Sequence, residues 1–262
     1  MTEAGTVAAG SGLPRHEAER LLVVAAGRTL TPFEEVDGET MEQFASLASR
    51  RRNGEPLQYL EGTVQFGPLE LLCDSRALIP RPETERLWEL AVKGSIPETV
   101  VDLCTGSGCL ALATKHAVPT AEVHGADLSP DALGLAMENG DYTDLDVAWH
   151  RGDLFEALPD RLRGTIDLLL STPPYVAADE ASALPIDVRE HEPTLALVGG
   201  RSGLEIIERI ANELGDWLAL GGRFLLEIGE TQAGAALELF APFGPIVHND
   251  LAGRPRIIEG RA

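Results

Sequence analysis

Between Thr99 and Ile228, short apolar runs alternate with stretches of helical spacing, and this alternation constrains the fold more than any other feature. Thr99 to Leu103, Glu122 to Ala126, Ile166 to Ser171 and Arg223 to Ile228 read as strands, whereas Leu110 to His116, Pro130 to Asn139 and Gly203 to Leu218 read as helices. Strand and helix in turn predict an α/β class: a doubly wound, mostly parallel sheet with helices on both faces. Ligands of such sheets sit at the carboxyl ends of the strands, so the loops leaving these runs are where chemistry is sought. No internal repeat or low-complexity tract competes with this reading.

The first third has a different texture. From Pro14 to about Arg52 the apolar residues Ala18, Leu21, Leu22 and Ala25, then Met41, Phe44, Leu47 and Ala48, recur at helical spacing, interrupted by Thr31-Pro32 and Asp37-Gly38. Residues 57 to 79 interleave Leu57, Tyr59, Val64, Phe66, Leu69 and Leu71 with Gly62, Gly67 and Pro68. These textures predict a helical domain over residues 1–55, a hairpin linker over 56–78 and the α/β domain over 79–262. At 262 residues the chain has room for that plan without a staple.

Composition narrows the function. Three cysteines, Cys73, Cys104 and Cys109, have no Cys-x-x-Cys spacing and no histidine cluster nearby, which argues against a disulfide framework and against a metal site. No basic segment followed by an apolar one opens the chain, and no apolar run reaches the ~18 residues of a membrane span, so a soluble, cytoplasmic protein is expected with no membrane partner. A formal charge of −21 repels phosphate backbones, so no nucleic-acid partner is expected. The oligomeric state stays open.

The segment Val100-Val101-Asp102-Leu103-Cys104-Thr105-Gly106-Ser107-Gly108-Cys109-Leu110-Ala111 reads as a strand, a glycine-rich turn and a helix start. Gly106 and Gly108 let backbone approach a ligand closely. Gly106, Gly108 and Ala111, with Asp127 further on, also satisfy the dinucleotide fingerprint, so a nicotinamide enzyme has to be weighed. The position of Asp102 favours S-adenosylmethionine instead. A carboxylate ahead of the glycines suits a cationic aminoacyl and sulfonium ligand and would repel a pyrophosphate. Asp127 could then accept from the ribose hydroxyls, with Gly152-Asp153-Leu154-Phe155 meeting the adenine.

After the strand Ile166 to Leu170 comes Ser171-Thr172-Pro173-Pro174-Tyr175-Val176. Two prolines without N–H groups make a rigid turn rich in carbonyls, suited to accepting hydrogen bonds from an amine. Thr172 Oγ and the Pro173 carbonyl could orient an NH₂ group, and Tyr175 could cover its flat face.

These residues, together with Pro56-Leu57-Gln58-Tyr59-Leu60-Glu61-Gly62, Leu78-Ile79-Pro80-Arg81-Pro82-Glu83-Thr84-Glu85, Glu192-Pro193, Leu226-Glu227-Ile228-Gly229, Gln232 and Asp250-Leu251-Ala252-Gly253, resemble the PrmC/HemK family of protein-glutamine N5-methyltransferases acting on peptide release factors. The resemblance runs nearly end to end. It implies a Rossmann-like S-adenosylmethionine-dependent methyltransferase sheet behind a small helical domain. It implies that Gly106, Gly108, Asp127 and Asp153 contact the cofactor, flanked by Cys104, Thr105, Leu128 and Leu154. Asp102 and the Pro80 to Thr84 segment, with Arg81, Pro82 and Glu83, would line its methionine end. Position 172 would read the acceptor beside both ligands.

Two residues depart from the family pattern. Thr172 stands where it has the asparagine of Asn-Pro-Pro-Tyr, and Cys104 stands where it has a glycine. Threonine keeps an acceptor oxygen but loses the amide NH₂. On that ground the expected acceptor is a planar nitrogen of a small metabolite such as free L-arginine, with release-factor glutamine as the alternative. Glu192 or Glu227 would take the proton that a guanidinium must lose. A non-catalytic binding module and a nucleic-acid methyltransferase rank behind both.

Overall fold

The computed structural model describes residues 2–94 and 96–262. They form two compact units, one running to Thr63 and taking in Pro185–His191, the other comprising Val64–Leu184 and Glu192–Ala262.

In the first unit a two-residue strand β1 (Thr2–Glu3) leads into α1 (Ala4–Ala9) and α2 (Arg15–Ala26). A second short strand, β2 (Glu35–Val36), pairs antiparallel with β1 and precedes α3 (Gly38–Arg52) and α4 (Leu57–Glu61). The caps are readable in the residues: Asp37 accepts the Thr40 N–H at 2.8 Å to start α3, and Gly27 ends α2 in the left-handed region at φ 63°. Ala18, Leu21, Leu22, Ala25, Phe44 and Ala48 share one core with Leu57 and Leu60. Residues 57–61, read from their sequence as the start of a hairpin, are therefore helical. Leu57 and Leu60 sit three residues apart on one buried face, and that helical spacing prevails over the tyrosine and glycine nearby.

The hairpin itself is β3 (Thr63–Phe66) and β4 (Leu69–Leu72), turned at Gly67, where φ is 52°. It is more than a linker: Phe66, Leu69 and Leu71 are buried in the core of the second unit. The buried Asn139 side chain accepts the Leu72 N–H at 2.6 Å and donates to the carbonyls of Leu72 and Ser107, stitching the hairpin to the glycine-rich turn.

The second unit continues with α5 (Pro82–Ala91), β5 (Thr99–Leu103), α6 (Cys109–Ala117), β6 (Glu122–Asp127), α7 (Pro130–Thr143), β7 (Ala148–Arg151), β8 (Ile166–Ser171) and β9 (Val176–Ala177). After α8 (Ile186–His191), which belongs to the first unit, come α9 (Thr194–Leu197), β10 (Val198–Gly200), α10 (Glu205–Trp217), β11 (Leu218–Glu227), α11 (Ala233–Leu239), β12 (Ile246–Asn249) and β13 (Pro255–Arg261). Seven strands form one sheet in the order β12-β13-β11-β8-β5-β6-β7. The five from β11 to β7 are parallel, and β12 and β13 close one edge antiparallel. The α/β, Rossmann-like class is thus observed. Both faces are covered, so the central strands are mostly apolar: Val100, Leu168, Leu170 and Leu225 belong to one core, and Val101, Leu103, Leu169 and Phe224 to the other.

The chain leaves β5 toward β6 and β7 on one side and returns to β8 and β11 on the other, which makes the β5/β8 boundary the switch point. Register places Leu103 opposite both Ala126 and Ser171, and Ser171 opposite Leu226, so four strands end level with one another.

Candidate active site at the strand ends

A cavity opens above that level edge, walled by residues 76–81 and Thr84, the loops after β5, β6 and β7, Thr172 and Pro174 after β8, and five residues between Pro193 and Ile206. The glycine-rich turn is pinned to β6, because Thr105 N–H donates to the Ala126 carbonyl at 3.0 Å and Gly106 N–H to Asp127 Oδ2 at 2.8 Å. Ser129 N–H donates to Asp127 Oδ1 at 2.9 Å, and Ser129 then caps α7. Asp127 thus organises two loops in addition to facing the cavity. Desolvation raises its pKa in spite of those two N–H donors.

Asp102 ends β5 almost fully buried. Its Oδ2 accepts from the Thr105 hydroxyl at 2.5 Å, while Oδ1 has no partner. Desolvation pushes its pKa up to about 7, outweighing the Thr105 hydroxyl bond and the smaller pull of the Ala111 backbone N–H. A buried, half-satisfied carboxylate in a cavity wall is suited to a cationic, hydrogen-bonding ligand. The two glycines divide their work. A Cβ added to Gly106 meets nothing within 4 Å, whereas one on Gly108 lies 2.7 Å from Trp149 Cη2 and 3.2 Å from the Ala136 Cβ. Gly108, expected at the cofactor, is therefore a close-approach residue under Trp149 and not part of the cavity wall.

Strain gathers here as well. Cys104 and Leu154 line the cavity with φ of 56° and 50°, in the left-handed region that side-chain-bearing residues avoid. Cys104 thus keeps the backbone conformation that glycine adopts freely. Burial drives its thiol pKa upward, which keeps it a neutral wall group. Asp153, at the far end of the cavity, is paired with Arg209 of α10 at 2.9 Å, and Leu128 and Leu154 supply apolar wall.

On the acceptor side, Thr172 Oγ1 is buried without a hydrogen-bond partner. Pro174 lines the cavity, and the buried Pro173 stands behind it. Tyr175, expected as a cover over the acceptor, is instead turned into the protein. Its hydroxyl donates to Glu227 Oε1 at 3.0 Å, with the Arg256 guanidinium 5.9 Å from the ring centre. Glu192, expected to take a proton, is buried and paired with Arg81, and also accepts the Ile79 N–H at 3.3 Å. It braces the 79–81 segment and does not line the cavity. Of the proline-rich segment, Pro80, Arg81 and Thr84 reach the wall. Pro82 instead occupies the first turn of α5, where its missing N–H costs nothing, and Glu83 pairs with Arg254 at 3.3 Å. Val198 and Ile206 also line the wall; Val198 lies outside every stretch read as an element, and Ile206 falls in the predicted helix without being marked as a site residue, whereas Ser107, Cys109 and Leu110 were readable as neighbours of the glycine turn.

The fold is that of a methyltransferase, and the family matches and relatives make the chain an S-adenosylmethionine-dependent enzyme acting on nitrogen. The family described as "PrmC N-terminal domain" matches residues 7–62, and "Methyltransferase small domain" matches residues 86–186. The chain is 39% identical over 264 residues to a release factor glutamine methyltransferase of Deinococcus radiodurans, covering 97% of this chain and 93% of the relative. It is 38% identical over 261 residues to that of Mycolicibacterium smegmatis, covering 96% and 92%. The chain belongs to the PrmC/HemK family of release factor glutamine methyltransferases. Among solved structures, a methyltransferase from Pyrococcus furiosus has the same fold at 17% identity, with a TM-score of 0.54 over 76% of this chain and 87% of that one. A 16S rRNA methyltransferase of T. thermophilus in complex with AdoMet and guanosine has it at 18% identity, with a TM-score of 0.54 over 76% and 49%.

Proposed function

We propose that this enzyme methylates the side-chain amide nitrogen of a glutamine in a peptide chain release factor, using S-adenosylmethionine. The observation that carries the proposal is the pair of unsatisfied buried oxygens in one cavity wall, Asp102 Oδ1 on the cofactor side and Thr172 Oγ1 on the acceptor side. The names of the relatives support this acceptor. They overturn the expectation of free L-arginine, since near full-length relatives at 38% and 39% identity are release factor glutamine methyltransferases. That expectation rested on Thr172 and on the attraction of a guanidinium to an acidic chain. Threonine keeps the acceptor oxygen an amide NH₂ needs, so one substitution does not displace the acceptor class.

Bound S-adenosylmethionine supplies an electrophilic methyl group on a cationic sulfur. In this reading Asp102 Oδ1 receives its ammonium group, and Asp127 and Asp153 take the ribose and the adenine edge, with Leu128 and Leu154 on the ring faces. Gly106 leaves room for the ligand, and Cys104, Thr105, Arg81 and Thr84 complete the wall. Thr172 Oγ and the Pro173 carbonyl accept the two N–H bonds of the amide, which aims the nitrogen lone pair. A neutral amide loses its surplus proton to water as it gains the methyl, so no carboxylate base is required. A cytoplasmic location fits this reading. Among the described residues no helix is long and apolar enough to cross a membrane.

The test is incubation with labelled cofactor and either release factor or free arginine, assayed beside Thr172→Asn. Label is expected in release factor only, and the variant, which restores an amide-to-amide pair, is expected to be about three- to tenfold faster on it. Label in free arginine with none in release factor would overturn the reading.

A further inference from the structure

We infer that Glu227 is a positioning residue that clasps the cofactor side of the site to the acceptor loop. Glu227 ends β11, is 2% exposed, and does not line the cavity. Its two oxygens are divided between the two sides. Oε2 accepts from the Thr84 hydroxyl at 2.8 Å, and Oε1 from the Tyr175 hydroxyl at 3.0 Å. Thr84 belongs to the cavity wall in the first turn of α5, and Tyr175 follows the Thr172-Pro173-Pro174 turn. Both carboxyl oxygens are thus engaged by hydroxyls, and these two bonds offset part of the upward pKa shift that burial imposes on Glu227. Arg256 is the nearby counter-charge, with Nη1 at 3.4 Å from the Tyr175 oxygen and 3.3 Å from the Ile228 carbonyl.

The Tyr175 end is held a second time, because Gln232 Nε2 donates to the Tyr175 carbonyl at 3.0 Å and to the Gly203 carbonyl at 3.2 Å. The acceptor turn is therefore clamped at backbone and side chain, and only the side-chain clamp is shared with the cofactor wall. Movement of Thr84 toward or away from a bound cofactor is transmitted through one carboxylate to the acceptor turn. The two half-sites are thus coupled, and coupling of this kind is reciprocal. The inference rests on the cofactor side of the reading above and is independent of which acceptor is methylated.

The test is the binding of S-adenosylhomocysteine without any acceptor, by calorimetric titration, together with the melting temperature of each variant. Tyr175 does not line the cavity, so a merely structural hydroxyl would leave that affinity unchanged. Tyr175→Phe is expected to weaken binding about three- to tenfold, as loss of one shared hydrogen bond does. Glu227→Gln should weaken it at least as much, because its NH₂ group faces one of the two donors. The double variant should be no weaker than Glu227→Gln alone, and Glu227→Asp, which keeps both acceptor oxygens, should recover part of the loss. If Glu227→Gln does not fold, Thr84→Val and Tyr175→Phe supply the same cycle, and their effects should again be less than multiplicative. Affinity within twofold of wild type for a normally melting Tyr175→Phe, or fully multiplicative losses, would overturn the clasp. A wild type that binds S-adenosylhomocysteine but leaves release factor unlabelled would sink the acceptor reading and leave the clasp intact.

Discussion

Asp102 carries opposite consequences for binding and for folding. Burial holds its pKa at about 7, above the ordinary carboxylate range, so the carboxyl is largely neutral just below neutrality. A cation at Oδ1 favours the ionised form, so binding there releases a proton whenever the solution is more acidic than about pH 7. Cofactor affinity should be full above pH 7 and weaken as the pH falls through it, by up to about tenfold per unit. For folding the sign reverses. A carboxyl whose pKa is raised in the folded state contributes stability at low pH that is lost as the pH rises toward 7. Asp102→Asn is therefore expected to melt higher than wild type at about pH 8 while binding S-adenosylhomocysteine more weakly and without the pH slope. Titrations from about pH 5.5 to about pH 8.5 check this, and a pH-independent wild-type affinity would refute it. The position of Asp102 before the glycines was legible in the sequence. Its unpaired oxygen was not, because that depends on Thr105 satisfying only one side. Cys104 and Leu154 were singled out by sequence as neighbours of the cofactor, yet their left-handed backbone is a property no composition announces.

At the level of elements, the glycine turn separates two roles that its spelling makes equivalent. Both Gly106 and Gly108 have positive φ, so alanine at either strains the backbone by about 1 kcal/mol. At Gly108 the added methyl also collides with Trp149, so Gly108→Ala should lose a further ~1–3 kcal/mol of stability from overpacking. At Gly106 the methyl enters open cavity, so Gly106→Ala should fold with the smaller penalty and lose cofactor affinity instead. Thermal melts and cofactor titrations of the pair distinguish the two, and equal melting temperatures would contradict the assignment. The parallel strands β5, β6, β8 and β11 were legible because their runs are largely apolar, whereas β7, Ala-Trp-His-Arg at the sheet edge, was not. The helix α4 was not, since five residues hold too little periodicity to tell a helical turn from a strand. The clasp lay beyond sequence reasoning for a simpler reason: Glu227 is 143 residues from Thr84 and 52 from Tyr175, and only the level strand ends bring them together.

For the molecule as a whole, fold and charge give different information. The sheet is shared with an rRNA methyltransferase, but a net charge of −21 opposes any approach to a phosphate backbone. Ribosomal RNA offered with labelled cofactor at about 0.15 M salt is expected to stay unlabelled under conditions that label release factor. Transfer to RNA would show that local charge overrides the total. The acceptor illustrates how weight should be divided between one residue and a whole chain. Thr172 is a real departure, but it sits in a sequence that follows its relatives from the helical unit through the last strand. One further consequence follows from the placement of the three tryptophans. Trp217 is stacked on Phe155 in the core, and Trp88 lies against Gly67 of the hairpin. Trp149 alone rests on Gly108 of the cofactor turn. Its indole is a native fluorophore packed behind the glycine turn, one layer back from the cavity, so a ligand that shifts that turn is expected to change the emission of the unlabelled protein.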